Sequence, residues 1–284
     1  NIEEDTISNA KTNYQYLQSL ISVEDHELEQ LVKSTNEEIE SIGSDLSTML
    51  DILGANDENE SKNYFQQAIS LYPELLRDEH VKQTIKNKKK AIVKDAKAAK
   101  LNIDGKFTYV LPDRYYVLNS ILFNEEKALL QDGQIHCNLY DEGKLDCLRS
   151  PSLSFEHIIQ ENVHSDEMKT WFITKGAYVS PSSMIGKVLQ MDYDGDRILI
   201  TPSKDLITIV ERNIILLDVV PLEYKMGVAD PKLINPKNVY ESLLIAFEAG
   251  ASIGTISNNI SKVWNADPEE FDYKVIQQLT AYNN

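Results

Sequence analysis

The sequence predicts an α+β chain in which a strand-rich middle is preceded and followed by α-helices. Three observations lead there. Apolar residues recur at helical spacing through residues 19–99 and again through 205–281. Short β-branched and aromatic runs, bounded by Gly, Pro or Asp, fill residues 105–148 and return at 198–200. Just before the last run lies an acidic loop, Gln190-Met191-Asp192-Tyr193-Asp194-Gly195-Asp196-Arg197.

In residues 19–53, Leu28, Leu31, Val32, Ile39, Ile42, Leu46 and Leu50 fall near helical spacing, predicting one long amphipathic helix or two in series. The opposite face is acidic. Residues 54–61, rich in Gly, Asn, Asp and Glu, read as a connection. A second helix is predicted over 62–71, broken by Pro73, and a third over 73–99. The third is crowded with Lys82, Lys86, Lys88, Lys89, Lys90, Lys94, Lys97 and Lys100. In an acidic chain this local reversal of sign reads either as a solvated face or as a contact to nucleic-acid phosphate.

The composition changes near Leu101. Residues 105–111 predict a strand that ends at Pro112-Asp113, and 115–123 a short helix. Residues 134–140, a turn at Asp141-Glu142-Gly143 and residues 144–148 carry the pattern of a β-hairpin, from whose end Arg149 emerges. Val188 and Leu189 before the acidic loop, and Ile198, Leu199 and Ile200 after it, read as buried strands. Beyond them, 205–213 predict a helix, 214–220 an apolar strand or buried segment, and 238–250, 254–264 and 271–281 further helices. The domains expected are 1–102, helical; 103–204, carrying the strands and the loop; and 205–284, helical.

The loop holds three carboxylates within five residues. In an extended backbone Asp192, Asp194 and Asp196 start on one side, and Gly195 permits the turn that lets them converge. Converging carboxylates repel one another unless a cation sits between them, and hard oxygen ligands suit magnesium or calcium. An EF-hand is excluded, because Gly195 precedes the third aspartate and position twelve is Ser203 where that loop needs glutamate. A solvated acidic turn is the bland alternative. The apolar runs on both sides argue against it, since they anchor the loop at the end of a core.

Asp192-Tyr193-Asp194-Gly195-Asp196 resembles the D-x-D-G-D metal motif of RNA polymerases built on double-psi β-barrels. Leu148-Arg149-Ser150-Pro151-Ser152-Leu153 is similar to the R-x-P-x-L segment that precedes those aspartates in the superfamily. The stretch 103–265 resembles the YonO-like branch of single-chain phage and prophage polymerases, through Gly105 with Pro112-Asp113, Asp132-Gly133 with Cys137 and Tyr140, and Cys147 to Leu153. It continues through Glu156-His157 to Ile253-Gly254-Thr255-Ile256-Ser257-Asn258-Asn259. Ser152 stands where a histidine is expected, which leaves any role of that side chain in doubt.

The resemblance implies a double-psi β-barrel carrying the acidic loop, and magnesium-dependent nucleotidyl transfer from NTPs to an RNA 3′ end. It implies Asp192, Asp194 and Asp196 as catalytic metal ligands, Arg149 on the ribose of the incoming nucleotide and Pro151 as a wall of that pocket. Lys86, Lys89, Lys90 and Asn259 become candidate contacts to nucleic acid. DNA is favoured over RNA as template; an RNA-dependent RNA polymerase and a non-enzymatic acidic helical module with a structural metal loop are the alternatives. In the superfamily a second barrel supplies lysines that grip the triphosphate, and nothing in residues 1–102 resembles it.

The formal net charge of -17 runs against nucleic-acid binding, which is dominated by basic contacts to phosphate. A chain that starts at Asn1 is read as a piece of a longer protein, inactive alone, whose remainder supplies the second barrel and a positive channel. Cys137 and Cys147 lack neighbouring ligands at zinc spacing and are expected to be reduced, strand-borne core thiols. Neither a signal peptide nor a membrane span is expected, and a cytoplasmic protein is the expectation; the resemblance implies a bacterial host cell and a gene of phage or prophage origin.

Overall fold

A computed structural model describes residues 8–217, 230–267 and 269–283. Among them, those up to Ala10, Gln15–Ser22 and those from Asp104 onward form one compact unit, and Lys11–Tyr14 with Val23–Ile103 form another.

The larger unit is built on a closed barrel of β1 (Lys106–Pro112), β2 (Gln134–His136), β3 (Gly143–Leu148), β4 (Ile158–Asn162), β5 (Ala177–Val179) and β6 (Arg197–Thr201). The strand order is β1-β5-β2-β4-β3-β6. β1 runs parallel to β5 and β2 parallel to β4, and the other pairs are antiparallel. Exchanging β1, β2 and β3 for β4, β5 and β6 maps the set of pairings onto itself with every sense kept. Two interlocked, equivalent halves of this kind make the double-psi β-barrel.

The halves match in their connections too. Pro112 ends β1, and the Asp113 carboxylate starts α6 (Arg114–Phe123) by accepting from Tyr116 N at 3.0 Å. Its other oxygen accepts from Leu129 N and Leu130 N at 2.7 and 3.0 Å, tying the return of the chain to the same buried acid. In the second half Ser165 caps α7 (Asp166–Trp171) after β4. Val110, Ile135, Leu145, Cys147, Ala177, Val179, Ile198 and Ile200 fill the interior. Each such side chain contributes about 1.5–3 kcal/mol on burial.

The hairpin expected over 134–148 does not form. β4 lies between β2 and β3, pairing with both. Residues 137–142 are a loop around Asn162, whose side chain bonds Cys137 N and the carbonyls of Cys137, Tyr140 and Asp141. Cys137 thus follows a strand instead of lying in one; both cysteines are buried and free. The strand expected at Val188 and Leu189 is a helical turn, α8 (Ile185–Val188). Both residues are buried there, because one apolar face of a turn is enough to close the barrel end.

The last helices are α9 (Lys204–Leu217), α10 (Pro236–Trp264) and α11 (Tyr273–Asn283). α9 runs through residues 214–217, where a strand or buried segment was expected, and leaves Ile215 and Leu216 exposed. The rest of that expectation, 218–220, lies outside the described residues. The helices expected over 238–250 and 254–264 are one, α10. Against the expectation of no membrane span, α10 is long and apolar enough to cross one by length and composition. Its C-terminal turns pack on the barrel unit, where Ile260 is buried beside Leu153 and Ile276.

The smaller unit contains α2 (Asp25–Ser41) and α3 (Leu46–Leu53), the two-in-series option, followed by α4 (Tyr64–Leu71), a 3-10 turn at Pro73–Arg77 and α5 (Glu79–Lys97). Asp45, Asn63 and Asp78 cap α3, α4 and α5. Ile42, Leu53, Ala55, Ile69, Val81 and Ile85 form the core of this unit.

Candidate active site

The acidic loop joins α8 to β6 and is shaped by its own carboxylates. Asp194 N donates to Asp192 Oδ1 and Asp192 N to Asp196 Oδ2, each at 3.1 Å. The fold-back needs left-handed backbone at both ends: Gln190 has φ 49° and Gly195 φ 131°. A Cβ on Gly195 would meet nothing within 4 Å, so backbone conformation, not space, demands glycine there.

One ligand oxygen from each of Asp192, Asp194 and Asp196 lies within 4.8 Å of the others. Asp192 and Asp194 are exposed, Asp196 half-buried. The Asp194 backbone amide holds the Asp192 carboxyl below its ordinary range. Asp194 is pushed up, first by its bond to Asp192, then by the charges of Asp192 and Asp196.

Arg149 reaches this loop because of strand register. β3 and β6 pair antiparallel, with Leu148 opposite Leu199, so the residue after β3 falls beside the residues before β6. Arg149 Nε donates to Asp196 Oδ2 at 3.0 Å and Nη2 to Asp196 Oδ1 at 3.1 Å, a two-toothed grip, while Nη1 donates to Gln190 O at 2.8 Å. Arg197 turns the other way, over the Tyr109 ring at 5.2 Å with a bond to Phe107 O.

The structure thus brings Asp192, Asp194, Asp196 and Arg149 together. Pro151 lies exposed on the segment that follows Arg149. Asn259 is exposed on α10. Lys86, Lys89 and Lys90 are on α5 of the helical unit, and Lys89 Nζ donates to Ile42 O at 3.1 Å. Lys86 and Lys89, with Arg77 and Lys82, edge a groove of about 710 Å³ floored by Ile42, Leu46, Met49 and Leu76. His157 is buried and bonded to Asp146 Oδ2 and Tyr16 O, each at 2.8 Å. Ser152 is buried, and its Oγ has no partner among the described residues.

Sequence reading missed Gln190, whose carbonyl orients Arg149, and gave Glu156 no role. Glu156 is buried and its carboxylate accepts from Leu153 N and Ser154 N at 2.9 and 3.4 Å. An acid two residues beyond the Pro151 segment was the available signal.

The structure thus combines a closed six-stranded barrel with three carboxylates on one loop, of which Asp196 is gripped by an arginine from the neighbouring strand. The chain is a homologue of the DNA-directed RNA polymerase YonO of Bacillus phage SPbeta, with 44% identity over 285 residues that cover 99% of this chain. It spans about a third (33%) of the length of that relative. Among solved structures it resembles the RNA-dependent RNA polymerase QDE-1 from Thielavia terrestris, with a TM-score of 0.50 over 98% of this chain and 31% of the other. At 10% identity that likeness speaks to the fold alone. No family model matches the chain.

Proposed function

We propose that the chain is the catalytic-barrel segment of a single-chain RNA polymerase, which transfers nucleotidyl groups from NTPs to an RNA 3′ end on a DNA template. The observation that carries the reading is the convergence of Asp192, Asp194 and Asp196 on one barrel loop, held by Arg149. Template DNA is favoured because the 44% identical relative is named as DNA-directed.

The donor set fits a divalent cation. It is all oxygen, it carries like charges, and Arg149 on Asp196 is its one direct cationic contact among the described residues. Asp192, Asp194 and Asp196 would hold the ion, and magnesium suits a site that leaves positions for water and substrate phosphate. A bound magnesium ion supplies Lewis-acid stabilisation of charge on the reacting oxygens. In the transfer itself the RNA 3′-hydroxyl loses its proton to solvent, its oxygen bonds to the α-phosphorus as the bond from that phosphorus to the bridging oxygen breaks, and pyrophosphate leaves with the bridging oxygen.

The residues of this chain bind and orient. Arg149 keeps a permanent charge and a planar fork, suited to a ribose hydroxyl or phosphate. Its bonds to Asp196 and Gln190 fix it against the acidic loop, so the nucleotide and the carboxylates are positioned by one piece of backbone. Pro151 gives that pocket an apolar wall. Lys86, Lys89, Lys90 and Asn259 contact nucleic acid through phosphate, without reading sequence. The remainder of a protein the length of its relative supplies a second barrel with the lysines for the triphosphate, and the polymerase works inside the bacterial cell.

The test is magnesium-dependent incorporation of ribonucleotides on single-stranded DNA by the full-length protein, beside Asp194→Ala. Activity that disappears in the variant is the expected result. A folded full-length protein that incorporates nothing on DNA, or works only on RNA templates, would overturn the reading in whole or in its choice of template.

A further inference from the structure

Between β3 and β4 the chain passes through residues 150–154, the segment that carries Pro151 away from Arg149. It makes no ladder bonds to the barrel strands. Side chains from elsewhere hold its backbone instead. Gln18 Nε2 donates to Ser152 O at 3.2 Å, and Trp264 Nε1 of α10 donates to Leu153 O at 2.9 Å. The Ser154 hydroxyl meets the Tyr273 hydroxyl of α11 at 3.0 Å. Leu153 is packed against Ile260 and Ile276 of the same two helices.

Glu156 sits inside this ring of contacts. Both its oxygens accept backbone amides, from Leu153 and Ser154. Only a carboxylate can do so, because the nitrogen of a glutamine has no lone pair to offer. The side chain makes no ion pair among the described residues, and burial pushes its pKa up to about 7. A buried acid in no ion pair is costly, and the two backbone amides are the contacts that offset that cost.

We propose that Glu156 is a positioning residue for the incoming nucleotide: by gripping Leu153 and Ser154 it fixes the 151–154 backbone so that Arg149 and Pro151 present one rigid wall to the ribose. Trp264 and Tyr273 brace the same wall from α10 and α11. The proposal rests on the polymerase reading above. Protonation removes the charge that strengthens both amide bonds to Glu156, so the grip loosens as pH falls. The ionisable groups that face it are His157, itself bonded to Asp146, Arg149 at the end of β3, and the Tyr273 hydroxyl of α11.

The experiment uses the full-length protein and two readouts on Glu156→Gln. Amide hydrogen exchange, which needs no activity, should rise about tenfold at residues 153–154 and stay unchanged in β3 and β6. In nucleotide incorporation KM for NTP should rise about tenfold with a much smaller change in kcat. In wild type KM should rise from pH 8 to pH 6, and in the variant that rise should be absent. Glu156→Asp keeps both acceptors and should recover part of the affinity; it also serves if the glutamine variant does not fold. An active wild type whose Glu156→Gln variant keeps KM and loop exchange overturns the positioning role alone. A wild type that incorporates nothing overturns the polymerase reading and this role with it.

Discussion

Two sets of acids stand on neighbouring strands of one barrel under opposite conditions. Asp146 lies within β3, fully buried with His157, and the two share a 2.8 Å bond. Asp192, Asp194 and Asp196 stand at the mouth that feeds β6, with ligand oxygens within 4.8 Å of one another and Arg149 the sole cation in direct contact among the described residues. The first acid is paired with a cation-forming group through Oδ2, while its Oδ1 is buried without a hydrogen-bond partner among the described residues, and the pair ties β3 to α1 (Tyr14–Gln18), whose Tyr16 carbonyl takes the other imidazole nitrogen. The second set is arranged against its own repulsion. Such an arrangement fits the cation site proposed above.

The comparison breaks most visibly at Asp194. In the full-length protein Asp194→Ala should reduce nucleotide incorporation by about 10³-fold or more, as loss of a metal ligand that stabilises transition-state charge by several kcal/mol requires. Its melting temperature without divalent ions should not fall, because the substitution removes repulsion. Asp146→Ala should do the reverse. Stripping one partner from a buried pair costs about 3–5 kcal/mol, read as a lower urea midpoint, while any folded fraction keeps its carboxylate loop. Equal destabilisation by both substitutions would erase the distinction.

Sequence made the exposed set readable and left the buried one obscure. Asp192, Asp194 and Asp196 are close in sequence, and Gly195 announces the turn, so local chemistry carries the inference. Arg149 was reachable only through resemblance to a family; what places it is the β3–β6 register, which no local pattern encodes. His157 and Asp146 are eleven residues apart and meet because β3 and β4 pair, with Cys147 opposite Ile158. The misread hairpin has the same origin. Residues 134–148 hold two strand-like runs and a turn, yet β4, from later in the chain, inserts between them. Helices fared better, since α2 to α5 are specified by caps and apolar spacing within each segment.

The buried acids also predict how stability varies with pH. Burial alone would lower the pKa of His157, but the Asp146 carboxylate overcomes it and holds the imidazole above its ordinary 6.5. The stability this contributes is complete below 6.5 and lost as pH rises through the folded value. Glu156 is raised from 4.5 to about 7, so it too favours the folded state at low pH and loses that contribution between those values. The shift corresponds to about 3 kcal/mol at 1.36 kcal/mol per unit. Relative to wild type, Glu156→Gln should therefore be about 3 kcal/mol more stable at pH 8 than at pH 4.5, whatever constant term the lost amide bond adds. A stability difference that stays flat with pH would show that Glu156 ionises as readily in the fold as in the unfolded chain, its burial offset in full by the Leu153 and Ser154 amides.

The smallest effect separates the two sets most directly, because it needs neither template nor activity. A ligand that binds the folded chain alone stabilises it by RT ln(1 + [L]/Kd), about 1.4 kcal/mol at ten times Kd. Magnesium should therefore raise Tm at constant ionic strength, and the rise should shrink or vanish in Asp194→Ala. Asp146→Ala, starting from a lower Tm, should show the same magnesium increment as wild type, since its change lies in the barrel wall and leaves all three ligand carboxylates in place. If the increment survives in Asp194→Ala, the ion is held elsewhere. If it is lost in Asp146→Ala as well, the loop depends on the buried pair for its shape, and the acids that stabilise and the acids that bind are one system.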